Sequence, residues 1–172
     1  MNSVISPLYI RELEITTTDK ILVHDPSKCT GCCQCMIACS YKHFKVFDLN
    51  QALLYVNEDP TQPGRFINAH CSHCIHPMCM AACPKDAIYR DEKGIVRISP
   101  LKCVGCGICS YACPISIPRK HPRLNIYVKC DLCDGDPMCV KMCSAEALKL
   151  LPREEAFKVV AGLRGGEVES KG

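Results

Sequence analysis

Apolar and polar positions alternate along this chain in short runs. Residues 87–90 (AIYR) and 95–98 (IVRI), joined by a charged turn containing Gly94, predict two strands of a hairpin behind a short helix. Residues 53–57 (LLYVN) predict a further strand ahead of the turn-forming run DPTQPG, inside a long insertion spanning residues 40–70. Leu13, Ile15 and Thr17 show strand-like alternation near the start. Near the end, residues 153–163 (REEAFKVVAGL) predict a short amphipathic helix with Phe157, Val160 and Ala161 on one side. No window approaches 18 consecutive apolar residues, so no direct membrane insertion is expected. The first residues show no basic region leading into an apolar stretch, no twin arginine and no small-residue cleavage site, which predicts a cytoplasmic protein.

Composition changes the picture at one point. Of 172 residues, 17 are cysteine, and the 48% hydrophobic content falls to about 38% without them. That leaves a thin conventional core for so many loops, and predicts stapling by disulfides or metals. A reducing compartment disfavours disulfides and an odd thiol count leaves one unpaired, so both favour metal ligation. The 21 Lys and Arg against 18 Asp and Glu are scattered, tryptophan is absent and aromatics stand at 6%. A nucleic-acid partner is therefore not expected.

The cysteines form four groups: Cys29, Cys32, Cys35, Cys39; Cys71, Cys74, Cys79, Cys83; Cys103, Cys106, Cys109, Cys113; and Cys130, Cys133, Cys139, Cys143. Only Cys33 is left over. Groups one and three share C-x2-C-x2-C-x3-C (CTGCCQCMIAC and CVGCGICSYAC). Groups two and four align as CSHCIHPMCMAACPKDAI and CDLCDGDPMCVKMCSAEAL after a one-residue insertion. The chain is thus an approximate duplication of a two-group unit. A C-x2-C-x2-C loop wraps a corner of a cubane while backbone N–H groups point at sulfur; Gly31, Gly105 and Gly107 supply the positive φ such a loop needs. Structural zinc prefers two ligands from each of two separated knuckles, whereas each group here offers a dense third and fourth ligand. Spacing, compartment and parity together favour iron–sulfur over zinc.

On these groups and the Cys83-Pro84 and Cys113-Pro114 junctions, residues 21–151 resemble bacterial-type ferredoxins. More closely they resemble the four-cluster electron-transfer subunits of multi-subunit oxidoreductases. These are the iron–sulfur subunits of molybdenum and tungsten enzymes (dimethyl sulfoxide reductase, formate dehydrogenase and aldehyde or aryl-CoA oxidoreductase types), of some hydrogenases and of carbon monoxide dehydrogenase. The resemblance implies an α+β fold of two nested ferredoxin-like modules, with short strands and helices and long cluster-binding loops. The outer module would take residues 21–52 plus 125–152 and the inner one 65–120, leaving 1–20 and 153–172 as terminal arms for partner contacts. It implies four 4Fe-4S clusters, with the fourth cysteine of each group serving the partner group's cluster. Cluster 1 would be held by Cys29, Cys32, Cys35 and Cys143; cluster 2 by Cys130, Cys133, Cys139 and Cys39; cluster 3 by Cys71, Cys74, Cys79 and Cys113; cluster 4 by Cys103, Cys106, Cys109 and Cys83. The hairpin between Cys83 and Cys103 independently supports the inner pair. Prolines follow the fourth cysteines of groups two and three, serines those of one and four. The longer gaps before the third cysteine in groups two and four depart from simple ferredoxins.

His70, His73 and His76 crowd group two, where a His2Cys2 centre competes with a reading as supporting or surface groups; four cysteines already present favour the latter. Lys28, Lys102 and Lys129 each precede the first cysteine of a group, either as solvated side chains or as cations that ease cluster reduction. Met78 and Met138, one residue before a third cysteine, are expected to pack against cluster and core. No catalytic constellation appears. The expected function is therefore outer-sphere electron transfer in anaerobic metabolism by a non-catalytic subunit. It would serve a large tungsten or molybdenum oxidoreductase subunit and a flavin- or NAD-reducing subunit or ferredoxin, with self-stacking into a longer wire conceivable. A free-standing polyferredoxin shuttle and a zinc-binding interaction module are the rivals. Four oxidised cubanes at about −2 each would turn the formal +3 into about −5. Cys33 reads as a small idle thiol. Cys33→Ser should leave iron content unchanged in anaerobically purified protein, and a loss of about a quarter would give it a ligand role.

Overall fold

A computed structural model describes residues 18–165. The alternation near Leu13, Ile15 and Thr17 lies outside them. The architecture is α+β, built from four separate two-stranded antiparallel pairs and five helices, mostly short. Strand β1 (Lys20–His24) leads into group one, whose third cysteine opens helix α1 (Gln34–Phe44). The insertion then forms a hairpin of β2 (Tyr55–Glu58) and β3 (Phe66–Ala69), with the strand slightly later than the apolar run predicts. The apolar residues Ala52, Leu53 and Leu54 are instead buried in the core ahead of it. Group two opens α2 (Met78–Ala81), followed by the predicted hairpin of β4 (Ile88–Arg90) and β5 (Val96–Ile98). Group three opens α3 (Ile108–Ala112); β6 (Arg119–Lys120) and β7 (Tyr127–Val128) then pair. Group four opens α4 (Met138–Lys141), and β8 (Leu148–Pro152) runs directly into α5 (Arg153–Gly165).

The duplication becomes physical in the strands. β8 begins five residues after Cys143, as β4 begins five after Cys83, and Cys29 follows β1 by the same interval that separates Cys103 from β5. β1 pairs with β8 as β4 pairs with β5. Equivalent hydrogen bonds close both ladders: Asp25 N–H to Ala147 O (2.8 Å) and Ser99 N–H to Ala87 O (2.7 Å). The outer half is thus the inner half cut open at its hairpin, with everything between groups one and four inserted at the other end. The helices follow the same rule, α1 packing on α4 and α2 on α3.

The main core mixes aliphatic residues with sulfur. Leu22, Leu54, Ile95, Ile117, Leu132 and Leu148 pack with Cys35, Cys39, Cys71, Cys130 and Cys139. A second cluster joins Cys79 and Cys109 to Ile88 and Val96. The inner and outer halves are tied by Arg97, whose guanidinium meets Asp91 (2.5 Å) of its own hairpin and Asp134 (2.6 Å) of the group-four loop.

Two expectations about packing change. In α5 the buried side is Ala156, with Val160 beside Ile21 and Val23, while Phe157 is 58% exposed. The helix phase is set by Arg153, which bonds Asp19 O through its N–H and Thr18 O and His73 O through its guanidinium. Met78 is 59% exposed and does not pack inward; Met138 is half-buried in a surface groove with Met142.

Positive φ recurs two residues after each group's first cysteine, at Gly31, His73, Gly105 and Leu132. A Cβ on Gly105 would lie 2.6 Å from the Asn125 carbonyl oxygen, whereas one on Gly64 (φ +81) meets nothing. Gly64→Ala should therefore cost about 1–2 kcal/mol of backbone strain alone. Gly105→Ala adds a backbone collision, and should lower the midpoint of thermal cluster bleaching well beyond the Gly64 variant. Equal midpoints would refute the close approach.

Candidate iron–sulfur centres

The structure brings cysteines of different groups together. One cavity is lined by Cys29, Cys32, Cys35 and Cys143, with Cys33, His24, Val56 and Asn68 also in its wall. A second is lined by Cys71, Cys74, Cys79 and Cys113, and a third by Cys83, Cys103, Cys106 and Cys109. For the remaining set, Cys39, Cys130 and Cys139 pack together in the main core, where α1 meets α4, and Cys133 belongs to the same group-four loop. Each fourth cysteine thus sits with three cysteines from another group.

Local backbone aims N–H groups at these sulfurs. His73 N–H donates to Cys71 Sγ (3.4 Å) and Leu132 N–H to Cys130 Sγ (3.5 Å), from the left-handed residues noted above. Glycine is absent from those two positions; His73 and Leu132 are fully buried instead, so packing holds the strained conformation. Further donors come from outside the loops: Leu53 N–H to Cys39 (3.2 Å), Ala87 N–H to Cys83 (3.3 Å) and Tyr127 N–H to Cys103 (3.3 Å). The insertion hairpin therefore covers its own module: Val56 and Asn68 wall the group-one cavity, and the Phe66 ring lies over Gly31.

Burial pushes the Cys35, Cys39 and Cys139 thiols up to about 12 and Cys109 to about 11, and drives Cys130 well above the ordinary range. Sulfurs so placed become thiolates only against a cationic core. Of two shielded imidazoles, His24 adds a second sign that the group-one site is built for a sulfide-rich group. Asn68 N–H donates to His24 Nδ1 (3.4 Å) and Val96 N–H to His73 Nδ1 (3.1 Å). Burial keeps both rings neutral, so each Nε2 carries the proton, yet neither Nε2 has a protein acceptor. His24 lines the group-one cavity, whereas the His73 ring is buried behind the group-two loop and does not line its cavity. Thiolate and inorganic sulfide are the acceptors such donors fit. His24 carried no signal in the sequence, since nothing in the cysteine spacing points five residues upstream.

The other candidates separate clearly. His70 bridges Asn68 Oδ1 (2.8 Å) and Leu22 O (2.9 Å) with its two nitrogens, His73 uses Nδ1 on Val96, and His76 is exposed. None stands as a free ligand pair for a His2Cys2 centre. Near group four, His43 Nε2 lies 3.5 Å from Cys133 Sγ and 3.4 Å from Asp131. Cys33 caps α1 at φ +57, the position Gly107 holds before α3, and its Sγ meets Gly31 O at 3.3 Å. Cys32, Cys74 and Cys106 are exposed; in group four the corresponding Cys133 is half-buried beneath His43.

The comparisons with known proteins point to 4Fe-4S chemistry. The 4Fe-4S dicluster domain family matches residues 63–153. The thiosulfate reductase electron transfer subunit PhsB of Salmonella typhi is 30% identical over 77% of this chain and 76% of its own length. The polyferredoxin-like subunit of the aliphatic sulfonate oxidoreductase of Pyrococcus furiosus is 36% identical over 80% of this chain and 75% of its own. A chain of the active-site complex BamBC of benzoyl coenzyme A reductase aligns at 25% identity over 84% of this chain and 89% of that one. The TM-score of that alignment is 0.46. With the family match and these relatives in agreement, the chain belongs to the 4Fe-4S dicluster domain family, the ferredoxin-like iron–sulfur electron-transfer subunits of oxidoreductases.

Proposed function

We propose that this chain carries four 4Fe-4S clusters in a row and relays single electrons between the large catalytic subunit of an oxidoreductase and a carrier or further subunit. The ligand sets are Cys29, Cys32, Cys35 and Cys143; Cys130, Cys133, Cys139 and Cys39; Cys71, Cys74, Cys79 and Cys113; and Cys103, Cys106, Cys109 and Cys83. The observation that carries the reading is the adjacency of these sets in a single series. Cys35, Cys39, Cys139, Cys130 and Cys71 pack in one core cluster, and Cys79 packs with Cys109 in the next. The order is therefore cluster 1, cluster 2, cluster 3, cluster 4, with the two modules (residues 21–52 plus 125–152, and 65–120) meeting at the middle. Helix pairing of α1 with α4 and α2 with α3 supports the crossed fourth cysteines.

Both ends of the series reach the surface among apolar side chains. At one end, exposed Cys32 borders a groove formed by Ile37, Tyr41, Phe47, Met138 and Met142. At the other, Cys106 is exposed, and the flanking sequence carries the exposed apolar side chains Leu101, Val104, Ile108 and Tyr111, of which Leu101 and Tyr111 are almost fully exposed. Such patches suit protein contacts, and two of them suit a relay better than a dead-end store. The catalytic partner is a molybdenum or tungsten enzyme of anaerobic metabolism, on the strength of the motif resemblance and of relatives that are subunits of a thiosulfate reductase and an aliphatic sulfonate oxidoreductase. A ferredoxin, a flavin- or NAD-reducing subunit, or a second copy of this chain takes the other end. No helix among the described residues is long and apolar enough to cross a membrane, and cysteine use as metal ligands accords with the cytoplasm.

Anaerobic purification should give a brown chain with about sixteen irons, bound to a large cofactor-bearing subunit. Colourless protein with stoichiometric zinc would refute the reading, and a four-cluster chain that purifies alone would make it a diffusing shuttle. Cys113→Ala should damage the group-two centre; loss of the group-three centre instead would overturn the crossed ligand sets.

A further inference from the structure

Three lysines precede the first cysteine of a group, and the structure separates them. Lys28 and Lys102 are exposed, as such side chains usually are. Lys129 is 5% exposed. Its ammonium donates to the carbonyl of Cys130 (2.9 Å) and to that of Val96. Neither acceptor bears a formal charge, and among the described residues no carboxylate stands within ion-pair distance of Nζ. The nearby cation Arg97 differs, being matched by Asp91, Asp131 and Asp134. An ammonium removed from water without an anion is among the least favourable burials in a protein.

Only the sulfur sets offer that anion. Lys129 lines the cavity of Cys71, Cys79 and Cys113, and it immediately precedes Cys130, which itself lies beside Cys71. It thus stands at the seam where the group-two and group-four sets meet, the junction of the two modules.

We propose that Lys129 is the buried counter-ion of the two middle centres, a fixed positive charge that eases reduction of both, most strongly of the group-two centre whose cavity it lines. The inference rests on the four-cluster reading. A cubane with four thiolates passes from about −2 to about −3 on reduction, so a fixed cation stabilises the reduced form more than the oxidised one. The effect places favourable potentials at the middle of the series, where an electron must cross from one module to the other.

The test compares Lys129→Gln, which removes the charge, with Lys129→Arg, which keeps it, by iron analysis and EPR-monitored redox titration of the intact holoprotein. The Gln variant should lower the reduction equilibrium constant of the group-two centre at least tenfold, about 59 mV for one electron. A smaller shift is expected at the group-four centre and none at the group-three centre, while the Arg variant keeps wild-type potentials. If the Gln variant fails to assemble the two middle centres and the Arg variant assembles them, the positive charge is required and the inference stands. Equal behaviour of the two variants, whether both keep wild-type potentials or both lose the middle centres, overturns it, as does a uniform shift of all four centres. Fewer than four centres in the wild-type chain would overturn the underlying reading instead, and the iron count shows this before any variant is compared.

Discussion

The rest of this structure depends on one constraint: cysteine sulfur occupies the interior where a protein of this size would ordinarily place leucine and valine. Cys35, Cys39, Cys71, Cys130 and Cys139 belong to the main core, and burial pushes most of these thiols far from ionisation. As thiols they are poor substitutes for aliphatic packing, since each is small and leaves space around it. As thiolates they would be buried charges, and a cationic core resolves both difficulties at once by filling the space and neutralising the sulfur. Such a group would also partner the Nε2–H of His24 and the unmatched ammonium of Lys129, each of which lines a cysteine cavity.

From that constraint the short elements follow. No strand pair exceeds five residues and four of the five helices span 11 residues or fewer, lengths that are marginal in isolation. Most of them begin or end within about five residues of a cysteine that its centre would fix, while β2 and β6 are held by their strand partners and α5 by packing on β1 and β8. The open-hairpin relation between the outer and inner halves brings β1 and β8 together across nearly the whole described chain. Pairing so distant in sequence carries a high loop-closure entropy, and the proposed cluster bonds, which join Cys39 to group four and Cys143 to group one, would shorten that loop.

Much of this was legible in the sequence because cysteine spacing is a direct record of coordination geometry. The four groups, the duplication and the β4–β5 hairpin come from residue types at fixed intervals. β1 and β8 escape that reading: KILVH and LKLLP are short apolar runs whose partners lie at opposite ends of the chain. The left-handed residues of groups two and four escape it too, because His73 and Leu132 take positions where a pattern reader looks for glycine. The face of α5 was misplaced because its phase is set by Arg153 bonding to Thr18 and His73, contacts that only tertiary structure reveals. Lys129 shares its sequence context with Lys28 and Lys102, so burial alone distinguishes it.

The account's central claim is that metal coordination stands in for an aliphatic core, so that the cofactor and the fold form together. The direct measurement is the near-ultraviolet circular dichroism and amide NMR dispersion of the reduced chain after anaerobic removal of iron with a chelator. The account predicts loss of fixed tertiary signals and collapse of dispersion, both restored on reconstitution with iron and sulfide. A chelated chain that keeps a dispersed, native-like spectrum would contradict it.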